Sequence, residues 1–424
     1  MLMIALLLVG GTVISLARTP VHVWNVLWAE DGPVFVAGAL DQGAAAIFQG
    51  YAGYLHLVAR LGAAVAVLFP LEIVPIAVTI ISAAITSAIA CTCFLLIEQR
   101  ISSVSLRLAA WVVCLALPIV GGEVANNLAN LHWFLLIAAF LATVVRVERT
   151  SMIVVQSAVL FVAVTSDALA LMLLPLVVTR IVLLRGRSRL IPEVAYIVGA
   201  VLQLTVVIAQ IVDGAAREVS AVRPTMDQLI DTYVYRVVLS GVFGTTGPAR
   251  MIEIVGLALP GLVLAAVIAI VIAAACADRS RRVLIGALSI GSVAFSAVVF
   301  TVQWRGFVNV PLLEFFTGAR YAAVPTALLM LALIVSVDVG VGRLRWPAAR
   351  STVAGVALVA VLIPVLTDFR PMNIRSDGAF WPDQVELAQD VCSDAPADES
   401  VNLAVSPAWF GGMVLPCAAV QERD

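Results

Sequence analysis

The stretch EIVPIAVTIISAAITSAIACTCFLLI, Glu72 to Ile97, decides the fold. No charge falls between Glu72 and Glu98. As a helix rising about 1.5 Å per residue, this segment is long enough to cross the ~30 Å hydrocarbon core of a bilayer. Comparable apolar runs recur along all 424 residues, of which 62% are hydrophobic and only 12% charged. A soluble domain carries about twice that share of charge. The chain has too little charge to cover a soluble surface, and the composition predicts an all-α polytopic membrane protein.

Apolar length places eleven transmembrane helices, at 2–17, 72–97, 108–121, 132–145, 151–165, 168–184, 191–212, 252–276, 283–303, 321–342 and 351–367. Met1 to Ala17 resembles the core of a signal peptide. It lacks a basic leader and a small-residue cleavage motif, so it reads as a retained first span. Arg clusters follow the even-numbered spans: Arg100 and Arg107; Arg146 and Arg149; Arg185, Arg187 and Arg189; Arg279, Arg281 and Arg282; Arg343, Arg345 and Arg350. All fall on one side, which carries 14 Arg and 5 acids against 11 Arg and 22 acids on the other. The bias toward positive charge inside makes the Arg-rich side cytoplasmic. The expected location is a bacterial plasma membrane, with the N-terminus cytoplasmic and the tail, 368–424, extracytoplasmic. Residues 1–367 form the transmembrane domain, with outer loops at 18–71, 213–251 and 304–320. Counting 53–70 as a span would reverse every later loop. Segments 33–48 and 53–69 therefore read as helices lying along the outer face, punctuated by Gly and Pro. Segment 371–379 reads as a linker, Trp381–Val391 as a helix and Val401–Val405 as a strand.

All 25 basic residues are Arg and none is Lys, a coding bias that suggests a GC-rich bacterial genome. Cys91, Cys93, Cys114 and Cys276 lie in apolar runs and read as small core residues. Cys392 and Cys417 lie in the polar tail and are a candidate disulfide if that tail is extracytoplasmic. The chain has no P-loop, no dinucleotide fingerprint and no metal-type Cys/His spacing. Its three His residues, His22, His56 and His132, are scattered. Nucleic acid is not an expected partner.

Four groups can carry chemistry. The first is Trp28-Ala-Glu30-Asp31-Gly32. Adjacent carboxylates near a membrane surface must be solvated, paired or bound to a cation. Either could act as a general base toward a hydroxyl or help hold a divalent cation. A solvated cap before the helix at Pro33 is the structural alternative. The second group is Arg60, Arg236, Arg305 and Arg320, outer arginines where few are expected. Guanidinium groups grip phosphate bidentately, and they also snorkel to lipid headgroups. The third is Glu123 to Trp133, with Asn126, Asn127, Asn130 and His132, which could contact sugar hydroxyls or form an amide-rich turn at the aromatic belt. The fourth is Asp167, the only charge in a tight outer turn, which reads as a second site carboxylate or as a helix cap.

Several short patterns resemble polytopic membrane proteins of actinobacteria. They are Trp28-Ala-Glu-Asp-Gly-Pro-Val-Phe35, Gly50-Tyr-Ala-Gly-Tyr54-Leu-His-Leu-Val-Ala-Arg60, Asn130-Leu-His-Trp133, Gly318-Ala-Arg-Tyr321 with Pro325, and Trp409 with Pro416-Cys417. The layout is similar to that of GT-C membrane glycosyltransferases. That class uses polyprenyl-phosphate sugars and has a catalytic acid and two interfacial helices in its first outer loop. The resemblance implies a transferase moving sugar to an outer-face glycan, lipid or protein acceptor. Only the acidic pair transfers residue by residue, with Asp31 as general base and Glu30 assisting or holding a cation. The Glu-Asp order departs from the Asp-Asp or Asp-x-Asp usual in the class. Our own reading adds Arg60 and Arg320 on the donor phosphate, with Arg305 beside them. It puts Asp167 and His132 on the acceptor side and Tyr54 and Trp133 stacking on sugar or prenyl. A lipid or glycan transporter and a non-catalytic envelope assembly factor are the rival readings. Almost no charge lies within the spans, which counts against an ion-coupled transporter.

Overall fold

A computed structural model describes residues 2–183, 190–214 and 222–421. Arg185, Arg187 and Arg189, and part of the 213–251 loop, lie outside the described residues. In chain order the helices are α1 (Leu2–Arg18), α2 (Ala37–Gln42), α3 (Leu57–Ala66), α4 (Val74–Ile97), α5 (Val104–Ala116), α6 (Leu131–Val144), α7 (Thr150–Val164), α8 (Leu174–Leu183) and α9 (Ile191–Val212). They continue with α10 (Met226–Tyr233), α11 (Ser240–Phe243), α12 (Gly247–Val255), α13 (Leu259–Ala277), α14 (Arg279–Val302), α15 (Arg320–Arg343), α16 (Pro347–Thr367), α17 (Trp381–Ser393) and α18 (Cys417–Gln421). Two small antiparallel hairpins complete the fold, β1 (Gly50–Tyr51) with β2 (Tyr54–Leu55) and β3 (Ser400–Ala404) with β4 (Gly412–Pro416).

Each predicted apolar segment contains a helix, as expected where only a helix satisfies its own backbone without water. Among the described residues, six helices are long and apolar enough to cross a membrane: Leu71–Ile97, α9, α13, α14, α15 and α16. Helices α6 and α15 lie at the centre. Almost every residue of α6 is buried, and α15 is sheathed by α5, α13, α14 and α16. Helix α9 instead turns Val194, Val198, Val201, Leu204, Ile208 and Ile211 outward. An exposed apolar stripe of that length suits lipid rather than water.

The bundle has two unlike ends. At one, charges pair closely: Arg107 with Glu98 at 2.7 Å, Arg180 with Glu193 at 2.6 Å and Arg281 with Asp338 at 2.5 Å. Arg180 also donates to the Ala142 and Thr143 carbonyls at the end of α6, where orphan carbonyls and the helix dipole favour a cation. At the other end lie the long loops, both hairpins and α17.

Several boundaries differ from expectation. The segment 33–48 is not one helix. It runs from a π turn (Gly32–Val36) through α2 to a 3-10 turn (Gly43–Phe48), with Gly43 at φ +56° marking the break. The segment 53–69 begins with the hairpin and becomes helical only at Leu57, so α3 is short. The span expected at 252–276 starts at Leu259, because Gly256 at φ +91° separates it from α12. Residues 371–379 are no loose linker. They form a 3-10 turn whose Arg375 is buried and donates to the Ala125 carbonyl at 3.1 Å.

The tail is welded to the first loop. The Ala29 amide donates to the Ser406 carbonyl at 2.7 Å, and the Ser406 amide to the Leu27 carbonyl at 2.9 Å. Trp381 Nε1 donates to the Leu71 carbonyl at 2.8 Å. Cys392 and Cys417 are joined by a disulfide that ties α17 to the end of β4.

Candidate functional site

The site grows from a buried scaffold around Asp31. A carboxylate with no exposure needs donors, since an unpaired one is costly. Asp31 Oδ1 accepts the Ala129 amide at 2.8 Å and Oδ2 the Leu128 amide at 3.0 Å. Burial pushes its carboxyl up to about 7, against those two amides and the Arg375 guanidinium, which favour the charged form. Burial likewise pulls Arg375 down to about 10, so it stays cationic at neutral pH. Asp31 thus clamps the 123–130 loop to the first loop.

That loop has its own internal wiring. Asn126, at φ +56°, exchanges hydrogen bonds with Ser15 and donates to Thr19 at the end of α1. Asn127 Oδ1 accepts from the Asn130 amide, and its Nδ2 donates to the Glu123 carbonyl. The amide groups expected to meet sugar hydroxyls are thus mostly occupied in shaping the turn. Glu123, also buried, holds Arg320 at 2.8 Å and accepts its backbone amide.

Above this scaffold is a cavity of about 860 Å³ at the loop-rich end. Its polar wall carries Glu30, Asp167, His132, Asn130, Gln303 and Arg320, and its rings include Tyr51, Tyr54, Trp133, Tyr321 and Trp409. Gln210 of α9 stands on one side, with Val299 and Val302 of α14 on another. The hairpin reaches the cavity because Gln203 of α9 accepts the Leu55 amide at 3.0 Å. Gly50 lies against α9 so closely that a Cβ would come within 2.9 Å of Gln210.

The first-loop acids have separate places. Glu30 faces the cavity, and its Oε2 is buried with no hydrogen-bond partner. Asp31 does not line the cavity, because its carboxylate is spent on the 123–130 backbone. The carboxylate expected as general base is thus held by backbone amides and lies outside the cavity lining. Arg60, expected on a donor phosphate, does not line the cavity either. Its guanidinium donates to the Val34 carbonyl at 2.9 Å and lies over the Phe35 ring, behind the cavity wall. Arg305 sits exposed on the 3-10 turn Trp304–Gly306, away from the cavity. Arg236 does not snorkel. It is buried and binds the Thr317 and Glu314 carbonyls, holding the 304–320 loop. Of the outer arginines singled out in the sequence, only Arg320 lines the cavity.

Asp167 and His132 do meet. Asp167 Oδ2 lies 3.6 Å from His132 Nε2 and has no hydrogen-bond partner, while its Oδ1 accepts the Leu169 amide. Burial pushes the Asp167 carboxyl up to about 7. The 165–167 turn is fixed to α3, since the Leu57 amide donates to the Thr165 carbonyl and the Val58 amide to Ser166 Oγ. His56 stacks on Tyr54 with ring centres 4.0 Å apart and touches His132 edge-on at 6.3 Å. Burial pulls His56 down to about 3, so it is neutral. Among the described residues, no three His, Cys, Asp or Glu side chains gather as a metal set.

Sequence reasoning missed Tyr51, His56, Gln303 and Tyr321 as cavity residues. His56 and Tyr51 flank Tyr54, and Tyr321 follows Arg320, so proximity to a chosen residue was the available signal. No protein-family model, curated protein or solved structure matches the chain.

Proposed function

We propose that the chain is a GT-C-type membrane glycosyltransferase. It moves a sugar from a polyprenyl-phosphate donor to an envelope glycan, lipid or protein on the outer face. One observation carries this reading: a single cavity of about 860 Å³ brings together aromatic rings, an arginine and two carboxylates with unpartnered oxygens. Rings stack on the C–H faces of sugars, and carboxylates bind their hydroxyls. In this reading Arg320 holds the donor phosphate, and its pairing with Glu123 at 2.8 Å fixes its position on the cavity wall. The first-loop carboxylate of the site is Glu30 rather than Asp31.

In this reading eleven helices cross the plasma membrane, with the N-terminus cytoplasmic and the loop-rich end outside. The five shorter ones have 17 residues or fewer, roughly 26 Å at most. A core helix such as α6 sees little lipid and has no need to match its thickness. A divalent cation fits poorly on Asp31, whose oxygens both accept backbone amides. Glu30 is the carboxylate that could share such an ion with the donor phosphate.

Purified full-length protein in lipid nanodiscs, given a panel of polyprenyl-phosphate hexoses and pentoses with envelope glycan fragments, should transfer label to the acceptor. Neutralising both cavity acids with E30Q and D167N should lower transfer at least a hundredfold, the lower range for general-base catalysis being about 10²-fold. Full transfer by that double variant would end the reading. Substrate flux into proteoliposomes without transfer would favour a transporter instead, and normal envelope assembly with both acids neutralised would favour an assembly factor.

A further inference from the structure

Two cavity carboxylates could serve the reaction, and their surroundings distinguish them. Glu30 shares the electrostatic neighbourhood of Arg320. That wall is where the departing phosphate belongs. Direct displacement at a sugar carbon needs the attacking oxygen and the leaving group on opposite faces. Asp167 stands on the 165–167 turn, carried by α7 and sewn to α3, and among the described residues no arginine pairs with it. Among the described residues its ion-pair neighbour is His132, and its Oδ2 is buried at the cavity wall with no hydrogen-bond partner.

We propose that Asp167, held against His132, is the group that takes the proton from the acceptor hydroxyl, while Glu30 orients sugar hydroxyls near the phosphate. The proposal rests on the transferase reading. The acceptor O–H gives its proton to Asp167 Oδ2 as the oxygen bonds to the sugar's anomeric carbon. The bond from that carbon to the phosphate oxygen breaks, and its electron pair leaves with the polyprenyl phosphate beside Arg320. The proton then passes to water in the cavity. His132 is a positioning residue: its ring stands 3.6 Å from Oδ2 and sets that oxygen's surroundings, while the Leu169 amide on Oδ1 fixes the carboxylate's direction. The other titratable groups around the pair are His56, Tyr51 and Tyr54 from the hairpin region, Tyr196 of α9, Glu30, and Arg320 with Tyr321, the Arg320 charge acting directly on His132.

Two measurements on the full-length protein test this. The first needs no activity. The O–H of a protonated carboxyl adds across a C=N bond of dicyclohexylcarbodiimide, giving an acylisourea detectable by peptide mass. Asp167 should be modified below neutral pH and spared well above it, and H132Q should move that crossover. An Asp167 left unmodified at acid pH would overturn the proposal, whatever the chain's activity. The second is the pH profile of transfer with the donor panel. Wild type should gain activity as pH rises through about 7, and D167N should lose at least a hundredfold together with that limb. D167E should recover part of the activity, and H132Q should shift the limb more than it changes KM. If D167N keeps the wild-type limb while E30Q abolishes it, Glu30 is the base and the proposal falls with the transferase reading intact. If wild type transfers nothing from any donor, the transferase reading falls and takes this base role with it.

Discussion

Asp31 looks catalytic in sequence, and in the fold both its oxygens are bound by backbone amides. An acid next to another acid before Gly-Pro suggests chemistry or a cap, yet both oxygens of Asp31 go to Leu128 and Ala129, almost a hundred positions away. Asn offers one acceptor oxygen and would point an NH2 at the second amide. Leaving a buried donor unpaired costs about 1–3 kcal/mol. D31N should therefore lower the thermal midpoint by several degrees, yet retain most transfer at low temperature, whereas D167N should do the reverse. A D31N protein of wild-type stability without transfer would return the base role to Asp31. Titration gives a second readout. The folded pKa of Asp31 is raised from the ordinary 3.8 to about 7. A raised acid contributes stability that is complete below the unfolded pKa and is lost as pH rises through the folded one. The stability difference between wild type and D31N should shrink between about pH 4 and 7, as read by thermal melts across that window.

Among the elements, the helices were legible in the sequence and their pairing was not. Apolar length forces helix in lipid, so the segments from α1 to α16 appear where hydropathy puts them, while glycines such as Gly43 and Gly256 break the predicted runs. Contacts across many tens of residues leave no mark on a single chain's periodicity. The clamp of Asp31, the docking of Arg375 and Ser406 and the Gln203 hold on β2 were invisible for that reason. The junction of α1 with α4 tests such a contact. Gly10 and Gly11 are adjacent and equal in propensity. A Cβ at Gly11 would meet Ser87 Oγ and come within 2.9 Å of Trp111, whereas nothing lies within 4 Å of one at Gly10. Membrane helices associate by such close approach of small residues. Gly11→Val should destabilise by about 1–3 kcal/mol, the usual cost of overpacking. Gly10→Val should leave the melt in detergent unchanged. Equal effects from both would mean that helix propensity, not the α1–α4 contact, sets the loss.

At the scale of the whole molecule, charge divides by end and by burial. The ion pairs of Arg107, Arg180 and Arg281 gather at one pole. The cavity, the tail and the disulfide gather at the other. This division was readable in the sequence as an Arg count, because insertion acts on loop charge before any tertiary contact forms. The cavity was not readable, since its walls come from the first loop, the 123–130 loop, the 165–167 turn, α14, α15 and the tail. The division makes the orientation testable without any substrate. Asp41 is exposed on α2 near the cavity end, and Trp346 is exposed in the turn between α15 and α16 at the Arg-rich end. Single-cysteine variants Asp41→Cys and Trp346→Cys can be made on a background lacking the four unpaired cysteines, of which Cys276 is exposed. Intact cells given a membrane-impermeant maleimide should label position 41 and leave 346 unlabelled until the cells are opened. The Cys392–Cys417 pair should stay oxidised and unreactive throughout, as an outer location predicts. Labelling of 346 and not 41 in intact cells would invert the molecule. The cavity would then face the cytoplasm, and the outer-face transferase would be refuted by topology alone.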